Sequence, residues 1–220
     1  VVRSWGGQSV AIPFVDGFST TALVQRIRQP LRKAAFLDRD GVINKDKAYV
    51  SRWEDFEFVP GAIEGLRRLQ TAGYALVIIT NQSGLARGYY TEDQYQALTA
   101  RMRQALLEQG VTLAGIYHCP HHPKGSVPEL AIECDCRKPA PGMVLQAARE
   151  LGLSLPNSIL IGDKSSDIAS ARAAGVGHAY LVASDNPESG TEIVAADGHY
   201  ANLLDCVTHL LTSSPQENCT

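Results

Sequence analysis

Three aspartates, a threonine and a lysine follow apolar runs or open helical patterns in this chain. Ala34-Ala35-Phe36-Leu37 runs into Asp38, with Asp40 two residues on. Tyr74 to Ile79 is apolar and is followed by Thr80 and Asn81. Ser158 to Ile161 leads into Gly162-Asp163, and Arg137-Lys138 precedes a further helical pattern. Carboxylates are hard oxygen ligands that suit Mg²⁺. A lysine and a hydroxyl suit the oxygens of a phosphoryl group. Together they predict metal-assisted phosphoryl chemistry. Any one of them alone would read as a solvated loop acid or a capping threonine; the repetition at successive run ends carries the reading.

A second cluster is built from sulfur. Cys119, Cys134 and Cys136 fall close together, while Cys206 and Cys219 stand apart. An odd count with one tight group argues against a disulfide framework and for a reducing compartment with a metal site. Cys119-x-His121 and Cys134-x-Cys136 offer three sulfurs and one nitrogen, a set suited to closed structural zinc. His118 and His122 compete with His121 for the nitrogen position, and a redox pair or free buried thiols are the alternatives. Zinc would order the loop and fix Arg137 and Lys138, which follow Cys136 directly.

The elements that must position these groups can be read from periodicity. Ala34–Leu37, Tyr74–Ile79, Leu113–Tyr117, Ser158–Ile161 and Ala179–Val182 are short continuous apolar runs, predicted as strands buried on both faces. Helices are predicted between them: from Pro60-Gly61 to near Gly73, from a capping box at Thr91–Gln94 to near Gly110, Pro141–Leu151, Ser166–Ala174, and Asn202–Leu211. The second of these carries Tyr95, Leu98, Met102 and Ala105 on one face. Strands alternating with helices predict an α/β fold with a doubly wound parallel sheet. In such folds ligands bind beyond the carboxyl ends of the strands, where Asp38, Thr80 and Asp163 stand. Cys206 reads as a core thiol, and His178, His199 and His209 as surface or satisfied residues.

Composition narrows the class. The chain has 220 residues, 45% hydrophobic and 20% charged, which excludes a disordered chain. Lys+Arg is 20 against Asp+Glu 23, a formal net charge of -3, so no nucleic-acid partner is expected. The central apolar run Ala75–Ile79 is far below the roughly 20 residues of a membrane span. No secretory signal opens the chain, and the expected location is the cytoplasm. The expected organisation is an extension over 1–30, a catalytic domain over 31–212 and a polar tail over 213–220.

The motifs carry a resemblance. Asp38-Arg39-Asp40-Gly41-Val42-Ile43 resembles the first motif of the haloacid dehalogenase superfamily, Thr80 its second, Lys138 its third, and Gly162-Asp163-Lys164 with Asp167 its fourth. The likeness covers about residues 33–185. It implies a Rossmann-like haloacid dehalogenase fold and phosphatase activity through an aspartyl-phosphate. Asp38 would be the nucleophile and Asp40 the general acid and base, its pKa raised by neighbouring carboxylates. Thr80 and Lys138 would bind the transferring phosphoryl group. Asp38, the main-chain carbonyl of Asp40 and Asp163 would hold Mg²⁺. The short stretch from Asp38 to Thr80 leaves no room for a large cap.

The runs FLDRDG, TNQSG, CPHHP and CDCRKP resemble the heptose 1,7-bisphosphate 7-phosphatase family within that superfamily, zinc loop included. That resemblance implies a sugar bisphosphate substrate contacted by Asp46 to Tyr49, by Thr80, Asn81, Gln82 and Ser83, and by Arg137, Lys138 and Lys164. It implies a product used for lipopolysaccharide precursors, and a monomer. The rivals are a histidinol-phosphatase and a zinc-organised binding module without catalysis. Gln82 to Gly88 and the long loop between His122 and Cys134 favour the heptose enzymes. Intact Asp38, Asp40, Lys138 and Asp163 argue against the binding module. Gly17-Phe18-Ser19-Thr20-Thr21, after a predicted strand Val10–Val15 and within a helix Thr20–Arg28, resembles the end of a nucleotidyltransferase domain. A chain that opens on Val fits a fusion of two pathway steps, with the β-anomer as substrate; an ordinary strand-helix extension is the alternative.

Overall fold

A computed structural model describes residues 31–183 and 195–213. The predicted strand and helix before residue 30, and the nucleotidyltransferase-like segment they carry, lie outside the described residues, as do positions 214–220.

The sheet has six parallel strands in the order β3-β2-β1-β4-β5-β6. They are β1 (Ala34–Leu37), β2 (Ala75–Asn81), β3 (Leu113–Cys119), β4 (Ile159–Gly162), β5 (His178–Val182) and β6 (Gly198–Tyr200). The α-helices are α1 (Ala62–Thr71), α2 (Ser83–Ala86), α3 (Glu92–Glu108), α4 (Gly142–Leu151), α5 (Ser165–Ala174) and α6 (Leu203–Ser213). Five strands and five helices match the sequence expectation. The sixth strand and the single-turn helix α2 do not: three residues and four residues are too short to set up a period.

Both faces of the sheet are covered. Along β1, Ala35 and Leu37 enter one core with Leu66 and Leu69 of α1 and Val207 of α6. Ala34 and Phe36 enter the other, with Val144 and Ala147 of α4 and Ile168 and Ala171 of α5. The two-residue alternation of a strand thus feeds two cores, which is why the strand itself reads as unbroken apolar sequence. Phe36 and Leu37 are fully buried, each contributing about 2–3 kcal/mol of transfer free energy.

Thr91 caps α3 as expected: its Oγ1 accepts from the Gln94 amide at 3.3 Å and the Gln94 side chain accepts from the Thr91 amide at 2.8 Å. The buried stripe is Tyr95, Leu98, Met102 and Leu106, with Leu106 in the place expected for Ala105. Cys206 is buried in the core. Among the described residues no helix is long and apolar enough to cross a membrane.

Strand order fixes the site. β2, β1 and β4 are neighbours at the centre, and the chain winds outward in opposite directions from β1. The carboxyl ends of these three strands therefore deliver Thr80, Asp38 and Asp163 side by side. Outside α1 the stretch from Asp38 to β2 holds only loops and one short 3-10 helix (Trp53–Asp55), so it builds no large cap over the crevice among the described residues.

Candidate active site

The crevice at these strand ends has a volume of about 350 Å³, with Asp38, Asp40, Thr80, Arg137, Lys138 and Lys164 among its lining residues. A second hollow of about 430 Å³ adjoins it through Asp40, Asn81, Ser83 and Lys164, and reaches Asp46, Tyr49 and Gln82. Of the residues expected from sequence to touch substrate, all but Lys47, which pairs with Glu57 at 3.2 Å, line one of these two hollows.

Lys138 forms the centre. Its ammonium lies 2.9 Å from Asp38 Oδ1 and 2.5 Å from Asp167 Oδ1, and donates to the Ile79 carbonyl at 3.0 Å. The main chain of Lys138 is docked separately. Its amide donates to Asn81 Oδ1 at 3.0 Å, and Asn81 Nδ2 donates back to its carbonyl at 3.1 Å. Burial opposes the charge of Lys138, but the flanking Asp167 and Asp38 outweigh it and hold its pKa well above the usual lysine range. For Asp38 burial dominates the opposing pull of Lys138, and Asp167 and Asp40 add to it, pushing its pKa up to about 6.

Asp40 behaves differently from expectation. Burial alone would raise its pKa, but Arg39 outweighs that, with hydrogen bonds from Arg39, Asn44 and Gln82, so the pKa is lowered. Asn44 Nδ2 donates to Oδ1 at 2.9 Å, and Gln82 Nε2 donates to Oδ2 at 3.0 Å. The expected rise from neighbouring carboxylates is overturned by donors that residue spacing did not reveal. Gln82 is itself fixed, donating to Thr80 Oγ1 at 2.8 Å and accepting from the Tyr90 hydroxyl at 2.6 Å.

The donor set fits a hard cation. Carboxylate oxygens of Asp38, Asp163 and Asp167, all buried, lie within 4.8 Å of one another. Three convergent buried carboxylates repel one another unless cationic charge offsets them, and oxygen-only donors select Mg²⁺ over softer metals. Asp163 follows β4, and Gly41 lies against it. Gly41 has φ +86°, and a Cβ there would fall 2.3 Å from Asp163 Oδ2, so the turn after Asp40 admits only glycine. The carboxylate of Asp40 is taken up by Arg39, Asn44 and Gln82. Asp167 was legible only as part of the fourth motif; the structure brings it to Lys138.

The sulfur cluster assembles as well. Cys119, His121, Cys134 and Cys136 offer ligand atoms within 4.8 Å of one another. Sulfur–sulfur separations are 3.6, 3.3 and 3.2 Å, and His121 Nδ1 lies 3.8 and 3.3 Å from Cys119 and Cys136. A tetrahedron with zinc–sulfur bonds near 2.3 Å has edges of roughly 3.6–3.8 Å. The cluster has that shape, slightly contracted, whereas a disulfide needs sulfurs about 2.05 Å apart. The competing histidines are engaged elsewhere. His122 Nε2 lies 3.1 Å from Arg87 Nη2, and its Nδ1 accepts from the Lys124 amide at 3.1 Å. His118 lies 3.5 Å from Glu92 and packs on Tyr95. The Cys119 carbonyl accepts from the Gln82 amide at 2.8 Å, and the Asp135 carbonyl from Gly142 at 2.8 Å. Arg137 Nη1 donates to the His121 carbonyl at 3.3 Å.

Among the outlying substrate candidates, Lys164 pairs with Asp46 at 3.2 Å, and Tyr49 packs edge-on against Tyr89. Ala48 and Tyr49 both have positive φ, 55° and 57°, a conformation that side chains other than glycine resist. The Asp46 carboxylate steadies this turn by accepting from the Ala48 amide at 3.0 Å.

Residues 135–206 match the model of the HAD-like hydrolase family. The chain is 51% identical over 157 residues to a D-glycero-alpha-D-manno-heptose-1,7-bisphosphate 7-phosphatase from Photorhabdus laumondii, covering 71% of this chain and 86% of that protein. It is 48% identical over 172 residues to the D-glycero-beta-D-manno-heptose-1,7-bisphosphate 7-phosphatase of Escherichia coli K12, covering 78% and 90%. Among solved structures, the D,D-heptose 1,7-bisphosphate phosphatase of B. bronchiseptica complexed with magnesium and phosphate matches with a TM-score of 0.70 and 30% identity, over 83% of this chain and 99% of that one. With relatives of this identity matched over most of their own length, the chain belongs to the heptose-1,7-bisphosphate 7-phosphatase family of the haloacid dehalogenase-like phosphatases.

Proposed function

We propose that this chain is a Mg²⁺-dependent phosphatase that removes the C7 phosphate of D-glycero-D-manno-heptose 1,7-bisphosphate and leaves heptose 1-phosphate for lipopolysaccharide core synthesis. The observation that carries the reading is the Asp38 carboxylate beside the Lys138 ammonium, 2.9 Å apart, in the central crevice. A nucleophile needs an ionised carboxylate, and binding a phosphoryl group needs fixed positive charge next to it.

In this reading an Asp38 oxygen attacks phosphorus while the bond to the sugar oxygen breaks. Asp40 gives that oxygen its proton, and an aspartyl-phosphate remains on Asp38. Asp40 then takes a proton from water as the water attacks the aspartyl-phosphate, freeing inorganic phosphate and regenerating Asp38. Bound phosphate carries negative charge, which acts against the donors that lower the Asp40 pKa in the free protein. Thr80 already accepts from Gln82, so its hydroxyl proton is available to a phosphoryl oxygen. Lys138 binds a second oxygen. Bound by Asp38, Asp163 and the main-chain carbonyl of Asp40, Mg²⁺ would neutralise phosphoryl charge as a Lewis acid. Asn81, Gln82 and Ser83 border both the phosphate and the sugar, while Asp46, Tyr49, Arg137 and Lys164 take the remainder of the substrate. Cys119, His121, Cys134 and Cys136 hold structural zinc. In this reading the enzyme works as a cytoplasmic monomer, fused to or acting beside a heptose nucleotidyltransferase whose remnant would be residues 1–30, with an ordinary strand-helix extension as the alternative.

The test is phosphate release from both anomers of the bisphosphate and from histidinol phosphate, with and without Mg²⁺. We expect release of one phosphate per heptose bisphosphate, dependent on Mg²⁺, with kcat/KM at least about 100-fold above histidinol phosphate. The faster anomer identifies the pathway branch. Preference for histidinol phosphate would overturn the substrate while leaving the chemistry in place.

A further inference from the structure

Arg39 lies between the two aspartates of the first motif and, unlike them, does not line the crevice. Its side chain is buried, and the residue is 1% exposed. Its Nε donates to Asp40 Oδ2 at 3.1 Å, and its Nη2 lies 3.0 and 2.9 Å from Oδ1 and Oδ2. Nη2 also reaches the Val50 carbonyl at 3.2 Å. The guanidinium carbon lies 6.0 Å from the centre of the Tyr95 ring. Nη1 is buried with no hydrogen-bond partner.

Burying a guanidinium costs several kcal/mol before any contact repays it. A buried arginine that served stability alone would have its donors satisfied, because an orphaned buried donor adds to that cost. Here one terminal nitrogen is left without a partner while the other two nitrogens converge on one carboxylate. The geometry points to Arg39 as a positioning residue: its planar fork locks the Asp40 carboxylate in the orientation from which it exchanges a proton with the leaving oxygen. The inference rests on the proposed acid–base role of Asp40. Asn44 and Gln82 each give that carboxylate one further bond, but neither presents a fork that fixes the plane.

A residue that acts only through a general acid leaves a distinct mark. An alkyl phosphate needs its leaving oxygen protonated. p-Nitrophenyl phosphate does not, because its leaving group departs as a stable phenolate. The experiment compares Arg39→Lys, which keeps the charge without the fork, and Arg39→Met, which keeps much of the volume, on heptose bisphosphate and on p-nitrophenyl phosphate in Mg²⁺. We expect kcat on the sugar phosphate to fall by about 100-fold or more with KM within about threefold, and kcat on p-nitrophenyl phosphate to fall by less than about tenfold. In an Asp40→Asn background, Arg39→Lys should cause no further loss on the sugar phosphate. Equal losses on both substrates, losses that multiply with Asp40→Asn, or unchanged kcat on the sugar phosphate would each overturn the proposal. Lys is the variant expected to fold should Met fail, and near-wild-type thermal unfolding of Arg39→Lys qualifies it for the comparison. Asp40→Asn alone tests the underlying reading: if it retains wild-type turnover of the sugar phosphate, the acid–base role falls and Arg39 falls with it. An Asp40→Asn defect confined to the sugar phosphate, beside indifferent Arg39 variants, would remove Arg39 alone.

Discussion

Asp38 carries a conflict between burial and reactivity. Burial, which outweighs the attraction of Lys138, raises its pKa from 3.8 to about 6 in the metal-free protein. A carboxyl group with a raised folded-state pKa binds its proton more tightly when folded. It weighs least on stability below pH 3.8, and the burden grows as pH rises and is complete above about 6. Asn cannot ionise. Asp38→Asn should therefore raise the unfolding free energy of Mg²⁺-free protein by about 2–3 kcal/mol at pH 8, with the gain fading toward pH 4. Thermal melts across that range check it, and a variant less stable than wild type at pH 8 would contradict it. The same variant should lose all detectable turnover, and added Mg²⁺ should stabilise wild type but not the variant. Asp38, Asp40, Thr80 and Asp163 were legible in the sequence because each stands where an apolar run stops. Arg39 and Tyr90 were not: their side chains act inside the protein on other side chains, and no spacing rule encodes those contacts.

Gly142 joins two elements that the chemistry needs in register. It is the first residue of α4, and its amide donates to the Asp135 carbonyl, inside the sulfur loop, at 2.8 Å. A Cβ at Gly142 would lie 2.4 Å from that carbonyl oxygen and 3.0 Å from the Cys136 nitrogen. These are backbone atoms and cannot swing aside. Gly142→Ala should therefore push the Cys134–Cys136 segment off α4, at a cost of about 1–3 kcal/mol. Metal analysis should find less than one zinc per chain, and the melting temperature should fall; a variant with full zinc and an unchanged melt would show that the segment yields freely. At this scale the sequence was most readable where a pattern repeats. The five long helices and five strands each have enough period or enough apolar run to stand out. β6 has three residues, too few to set up a pattern. The buried stripe of α3 ends on Leu106 rather than Ala105 because a helix advances slightly less than a full turn in three residues and slightly more in four, and the core selects the larger side chain.

For the molecule as a whole, the question is how far the sulfur loop reaches into the site, and the magnitudes of its tethers decide. Lys138 follows Cys136 by two residues, yet its main chain is held by the paired hydrogen bonds to Asn81 and its ammonium by Asp38, Asp167 and Ile79. None of those partners belongs to the loop. The Arg137 guanidinium, by contrast, is tied to the loop itself, donating to the His121 carbonyl at 3.3 Å. Loss of zinc should free His121 and with it Arg137, while Lys138 stays docked on β2. Cys134→Ser removes one of the four proposed zinc ligands without a chelator that would also take Mg²⁺. With Arg137 in its proposed role at the substrate, this variant should raise KM for the heptose bisphosphate by about tenfold, the worth of one polar contact near 1.4 kcal/mol, and change kcat by less than about threefold. Asn81→Ala should do the reverse, lowering kcat by about tenfold or more through the lysine. Steady-state kinetics on the two variants, with zinc content measured in each, separate these effects. A collapse of kcat at unchanged KM in Cys134→Ser would mean that the metal, and not Asn81, holds Lys138 in register with Asp38.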